Sequence, residues 1–280
     1  MTKNEGWREK FRPDIPSPAR IYDLLLGGKD NYPADRAAAG QITRVLPGAQ
    51  TSARWNRAFL GRAVRYLAAD RGIRQFLDLG AGLPSARNVH EVAQEAAPGS
   101  QVVYVDNDPV VLAHGRDLLH GVAGTTILAH DLREPDEILA DPGLRALIDA
   151  EEPVAVLAVA VLHFIPDEDD PAGIIRKLLE PFPAGSHVVV SHGTADAVPA
   201  VREAAAVFDH ATTSAHTRTR DEILALADGL ELVEPGIVWL PRWRPQGPTG
   251  TKAGAAPAPD LGPALDPAEA YVYALVARKP

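Results

Sequence analysis

The hydrophobic rhythm of the chain changes near residue 70. Before that point apolar positions recur every three or four residues. Ile21, Leu24 and Leu25 share one helical face, and Trp55, Phe59, Val64 and Leu67 share another. Ser17-Pro18 makes a helix start, a hydroxyl at the N-cap followed by proline at the first helical position, and Gly27-Gly28 makes its stop. The turn Lys29-Asp30-Asn31-Tyr32 leads to Pro33, which opens a second helix, and a longer third helix runs from about Ser52 to Ala69.

Past residue 73, short and nearly continuous apolar runs alternate with helical patterns. The runs at 75–79, 101–105, 125–129, 154–161, 186–191, 231–240 and 270–278 read as strands. Segments 86–96, 109–119 and 171–179 read as helices between them. Strands without polar alternation are covered on both faces, which predicts an α/β fold with a mostly parallel sheet. The last two strands have no helix between them, so the final one is expected to enter antiparallel, as a hairpin partner at the sheet edge. Their link is rich in Pro, Gly and Ala and predicts a flexible loop over 245–268. The expected organisation is therefore a helical cap over 1–70 and an α/β core over 71–280.

Composition narrows the function. With no cysteine in the chain, disulfides, thiolate metal sites and cysteine nucleophiles are excluded. The polar start MTKNEGWREKFRPD has no apolar signal region, and the longest apolar run, VAVLAVAVLHFI, is too short to span a bilayer. A cytoplasmic protein without a membrane partner is expected. A net charge of −9 argues against a nucleic-acid partner, because such binding rests on neutralising phosphates. No compact metal-ligand spacing is present, and Asp167 to Asp170 reads as acids before a helix, so no metal is expected. An apolar helix left exposed in the N-terminal region would support a homodimer.

The stretch FLDLGAGLPS, residues 76–85, carries the most chemistry. A strand runs into Gly80 and Gly82, which allow a tight turn and a close backbone approach to a ligand. Two departures from a dinucleotide fingerprint matter: Ser85 stands where a third glycine would be, and Asp78 precedes the first. An acid there repels a pyrophosphate but favours S-adenosylmethionine, which has no phosphate and carries a sulfonium and an ammonium. Asp106, at the end of the second strand, is placed to accept both hydrogen bonds of a ribose diol. Asp131, after the third, is placed to accept from an adenine amino group. A nicotinamide oxidoreductase is the weaker alternative.

At this point the chain resembles the class I S-adenosylmethionine-dependent methyltransferases. The segments PARIYDLLLGGKDNYPADR, DLGAGLPS and VWLPRWRP look like the signature of an actinobacterial family of S-adenosyl methyltransferases. The resemblance implies a Rossmann-like core of seven strands with the last antiparallel, helices on both faces, and an N-terminal helical cap over the cofactor. It implies no particular acceptor. Expected cofactor contacts are Arg20, for the cofactor carboxylate, then Asp78, Gly80, Ala81, Gly82, Asp106, Asn107, Asp131, Leu132 and Ala160.

Methyl transfer needs positioning in a dry pocket more than any obligatory side chain. Candidates to orient or deprotonate an acceptor are His163 after the fourth strand, His192 after the fifth, and Tyr22 and Asn31 from the cap. The expected reaction is transfer to oxygen, nitrogen or an electron-rich aromatic carbon, such as an indole ring, of a small molecule of secondary metabolism. A non-catalytic cofactor-binding protein is the other reading.

Overall fold

The computed structural model describes residues 12–85, 87–245 and 270–280. Apart from residue 245, the loop expected over 245–268 lies outside the described residues. Helices α1 (Pro18–Leu25), α2 (Pro33–Val45) and α3 (Ala49–Asp70) precede the sheet. The sheet comprises β1 (Gln75–Leu79), β2 (Gln101–Asp106), β3 (Thr125–Ala129), β4 (Val154–Val159), β5 (His187–Gly193), β6 (Glu231–Leu232), β7 (Val238–Trp239) and β8 (Val272–Arg278). Between strands lie α4 (Val89–Ala96), α5 (Pro109–Leu118), α6 (Pro135–Ala140), α7 (Pro142–Leu147), α8 (Pro171–Leu179), α9 (Ala200–Ala206) and α10 (Arg220–Ala225).

Strands β3-β2-β1-β4-β5 run parallel, β8 lies antiparallel beside β5, and β6 and β7 pair antiparallel with the far side of β8. This is the expected Rossmann-like architecture, with one correction. The final strand is not at the sheet edge: it inserts between β5 and the short β6 and β7. Pro235-Gly236 interrupts the apolar run 231–240, leaving two two-residue strands where one was expected.

Alternate residues of each strand feed separate cores. Leu77, Val103, Val156 and Val190 pack on one face with Ile138, Leu144 and Ile175 of α6, α7 and α8. Phe76, Val102, Leu157 and Val189 pack on the other with Phe59, Val64 and Leu67 of α3 and with Val92 of α4. Hydrophobic burial on both faces is what the unbroken apolar strands require. Helix α3, which the sequence groups with the cap, belongs to the packing of the sheet.

Helices α1 and α2 form a third apolar cluster, in which Ile21, Ala39 and Ile42 meet Val201 and Ala204 of α9. The apolar face of α1 is packed inside this cluster, with Leu24 and Leu25 at its margin. Ser17 starts α1 by position, but its side chain does not cap the helix. Its hydroxyl donates instead to Asp108 Oδ2 at 2.6 Å, tying the cap to the turn after β2. Among the described residues no helix is long and apolar enough to cross a membrane.

Candidate functional site

The carboxyl ends of β1, β2 and β4 open into a cavity of about 710 Å3, roofed by α1, α3 and α9. That volume lies within the roughly 300–1,000 Å3 typical of small-molecule sites. At its floor the glycine loop is held open by strand β2. The amides of Gly80 and Ala81 donate to the Val105 carbonyl at 2.9 and 3.1 Å, and Gly82 N donates to Asp106 Oδ2 at 2.9 Å. Gly80 and Gly82 have φ of +63° and +66°, where a side chain strains the backbone. A Cβ on Gly80 would also lie 2.4 Å from Val161 Cγ2, whereas one on Gly82 would meet no protein atom within 4 Å. The loop is thus packed beneath Gly80 and open beside Gly82, as a cradle for a ligand must be. Ser85, in the same wall, has its buried hydroxyl without a partner among the described residues.

Two of the three acids expected at strand ends are buried in this floor. Burial pushes Asp78 up to about 7; the Arg57 guanidinium opposes the shift, and Asp106 adds to it. Burial likewise pushes Asp106 up to about 6, against amide hydrogen bonds from Asp108 and Gly82. Asp131 differs. Burial alone would raise it, but bonds from the Arg133 side chain, at 3.0 and 2.6 Å, and from the Arg133 amide hold it below the usual carboxylate range. Asn107 donates to it at 3.2 Å, and Leu132 lines the cavity beside it. Asp131 is accordingly occupied, with less capacity to accept from an adenine than its position suggests. Ala160, just beyond β4, borders the cavity in a left-handed conformation, φ +56°.

The cap-side candidates separate sharply. Arg20 is 2% exposed, and its Nε donates to Asp35 Oδ2 at 2.9 Å while Nη2 donates to the carbonyls of Arg12 and Ile15. It is committed to holding the cap together, which corrects its expected role toward a cofactor carboxylate. Asn31 does not reach the cavity: its side chain bonds Asp23, the Gly28 carbonyl and Arg36, closing its own turn. His192 is wholly buried between the Gly193 carbonyl, 2.8 Å from Nδ1, and Arg218, whose Nη1 lies 2.8 Å from Nε2. Since Arg218 can only donate, Nε2 accepts and Nδ1 carries the proton. Its role is structural.

His163 and Tyr22 do line the cavity. Burial pushes His163 down to about 4, with Arg218 and His216 adding to the effect, so the ring is neutral. Its Nδ1 is buried without a partner among the described residues. The Tyr22 hydroxyl donates to the Ala53 carbonyl at 3.1 Å and accepts from Asn56 at 2.8 Å. Burial raises its pKa. Asp170 caps α8 through Gly173 N at 2.9 Å, and Asp167 pairs with Arg218, so that acidic run serves helix and loop.

Three residues had escaped the sequence: Asn56 and Arg57, which line the cavity from α3, and Ser191 at the end of β5, which is buried and accepts the Ala160 amide. Asn56 is 4% exposed on a helical face otherwise built from residues such as Ala53, Leu60 and Ala63. That polar interruption of an apolar stripe was the available signal. Arg57 donates to the Arg87 carbonyl at 3.2 Å and makes no ion pair within 4.0 Å among the described residues. Its charge lowers the pKa of Asp78 through space, and both residues line the cavity.

A family model described as S-adenosyl methyltransferase matches residues 5–280. Two solved structures are similar along nearly the whole chain. A DUF574 family protein from Streptomyces avermitilis is 41% identical with a TM-score of 0.88, covering 96% of this chain and 100% of its own. A candidate methyltransferase from Thermobifida fusca is 38% identical with a TM-score of 0.85, covering 100% of this chain and 99% of its own. Comparison with curated proteins finds no match.

Proposed function

Because the chain belongs to the S-adenosyl methyltransferase family and is an S-adenosylmethionine-dependent methyltransferase, we propose that it methylates an uncharged, largely apolar small molecule of secondary metabolism. The observation that carries this reading is the single continuous cavity. It runs from the glycine loop and buried acids at one end to Ile21, Leu25, Ile42, Leu46, Val201 and Phe208 at the other.

The floor fits the cofactor. When bound, S-adenosylmethionine supplies an electrophilic methyl group on its sulfonium. Asp78 and Arg57 both line the cavity and offer opposite charges for a zwitterionic amino-acid end. Asp106 offers a carboxylate for a ribose diol while it fixes Gly82. Asn107, Asp131 and Leu132 border the space for a base, and Gly80, Ala81, Gly82 and Ala160 supply close-approaching backbone. Arg57 takes the place first given to Arg20.

Among the described residues the far end is formed by Ile21, Leu25, Ile42, Leu46, Val201 and Phe208, and the charge of Arg20 beside them is tied to Asp35. A charged acceptor would lose its hydration there without a counter-ion, a cost of several kcal/mol or more. His163, neutral and facing the cavity, can orient an O–H or N–H of the acceptor, but a ring with a pKa of about 4 is a poor proton acceptor at neutral pH. Positioning and exclusion of water therefore carry the transfer, to oxygen, nitrogen or an electron-rich aromatic carbon. A screen of neutral aromatic and heteroaromatic acceptors against the cofactor-loaded enzyme, read by S-adenosylhomocysteine release, tests the reading. Turnover confined to charged or macromolecular acceptors contradicts it.

A further inference from the structure

Ala160 poses a physical problem. A non-glycine residue at φ +56° is strained and persists only where its surroundings hold it. What holds it is a chain of hydrogen bonds reaching the cap. Ala160 N donates to Ser191 Oγ at 2.9 Å, with the Ser191 carbonyl 3.2 Å away. Ser191 Oγ donates to Asn56 Oδ1 at 2.6 Å, Asn56 Nδ2 donates to the Tyr22 hydroxyl at 2.8 Å, and that hydroxyl donates to the Ala53 carbonyl at 3.1 Å.

The order of donors is forced. The Ala53 carbonyl can only accept, so the Tyr22 proton points to it and the Tyr22 oxygen must receive the Asn56 amide. That orientation turns Oδ1 of Asn56 toward Ser191, whose proton is then committed and whose lone pair takes the Ala160 amide. Every link runs in one direction, the arrangement in which hydrogen bonds reinforce one another. Ser191 is fully buried and Asn56 nearly so, and water has little access to replace a lost link. The chain crosses four elements, α1, α3, β5 and the end of β4, and both of its ends border the cavity.

We infer that Asn56 is a positioning residue that couples the seating of cap helix α1, through Tyr22, to the shape of the Ala160 turn beside the cofactor space. The inference rests on the cofactor occupying that cavity. Cofactor affinity then depends on a group in the cap and a group in the sheet through one shared link. Neither Tyr22 nor Ser191 needs to touch the ligand for its loss to be felt.

The test is a double-mutant cycle read by calorimetric titration of S-adenosylhomocysteine into the full chain, with thermal unfolding of each variant alongside. Tyr22→Phe and Ser191→Ala are expected to weaken binding each by about three- to tenfold, the worth of one buried hydrogen bond. The double variant is expected to bind no more weakly than the weaker single, because either cut severs the same chain. Affinities within twofold of wild type in both singles, or strictly additive losses, overturn the inference. A purely structural role would lower the unfolding temperatures and leave the affinities alone. Failure of the wild type itself to bind would instead count against the cofactor site.

Discussion

The backbone amide of Gly82 donates to Oδ2 of Asp106 at 2.9 Å, so the acid at the end of β2 shapes the glycine loop that follows β1. Its other oxygen accepts the Asp108 amide at 2.9 Å. One carboxylate thus holds two turns while leaving lone pairs free for a ligand. Asp106→Ala is expected to weaken S-adenosylhomocysteine binding by about ten- to hundredfold, the range for losing a charge-assisted hydrogen bond. Calorimetric titration checks this.

Arg20 and Arg57, both lining the cavity, are expected to fail in different ways. Arg20→Ala strands Asp35, which is fully buried, and should cost about 3–5 kcal/mol of stability, seen in denaturant unfolding. Arg57→Ala should leave stability within about 1 kcal/mol, as a residue without an ion pair among the described residues. It should selectively weaken ligands bearing the amino-acid end. Affinity for S-adenosylhomocysteine would fall while that for 5′-methylthioadenosine, which lacks the carboxylate, would hold.

Cofactor affinity should rise with pH. Burial disfavours the charge of Asp78 and sets its pKa at about 7. A bound ammonium and sulfonium favour the ionised carboxylate, so binding below pH 7 must first release a proton. The sign is therefore weaker binding at low pH. S-adenosylmethionine is expected to bind about tenfold less tightly at pH 6 than at pH 8, with proton release visible when titrations are compared across buffers. Asp106, at about 6, adds in the same direction at the lower end. Asp78→Asn should flatten the profile.

The two histidines divide likewise. His192→Ala removes one of the buried acceptors of Arg218 and should destabilise by roughly 1–3 kcal/mol. His163→Ala should keep cofactor affinity and lower methyl transfer, with no inflection near pH 6.5 in the wild-type profile attributable to this ring. Unfolding curves and single-turnover rates with an identified acceptor separate the two.

The sheet was legible because burial on both faces leaves a direct mark, an unbroken apolar run such as Val154–Val159. The place of β8 was not, because strand order depends on which edge the chain returns to. No local residue preference records that. On the floor of the site, glycines with forced φ and acids at strand ends announce themselves. The cap did not, because a polar cluster looks the same in sequence whether it faces a ligand or itself. Arg20 and Asn31 turned inward to Asp35 and Asp23, and His192 to Arg218. Asn56 and Ser191 matter through each other, across 135 positions of chain. Such a pair has no local signature.

This cavity is built for S-adenosylmethionine and not for a dinucleotide. The most direct measurement is calorimetric titration of S-adenosylmethionine, S-adenosylhomocysteine and NAD into the wild-type chain and Asp106→Ala. Saturable binding of the first two, weakened by the substitution, with none for NAD, is the result expected. Binding of NAD, or S-adenosylhomocysteine affinity untouched by the loss of Asp106, would contradict it.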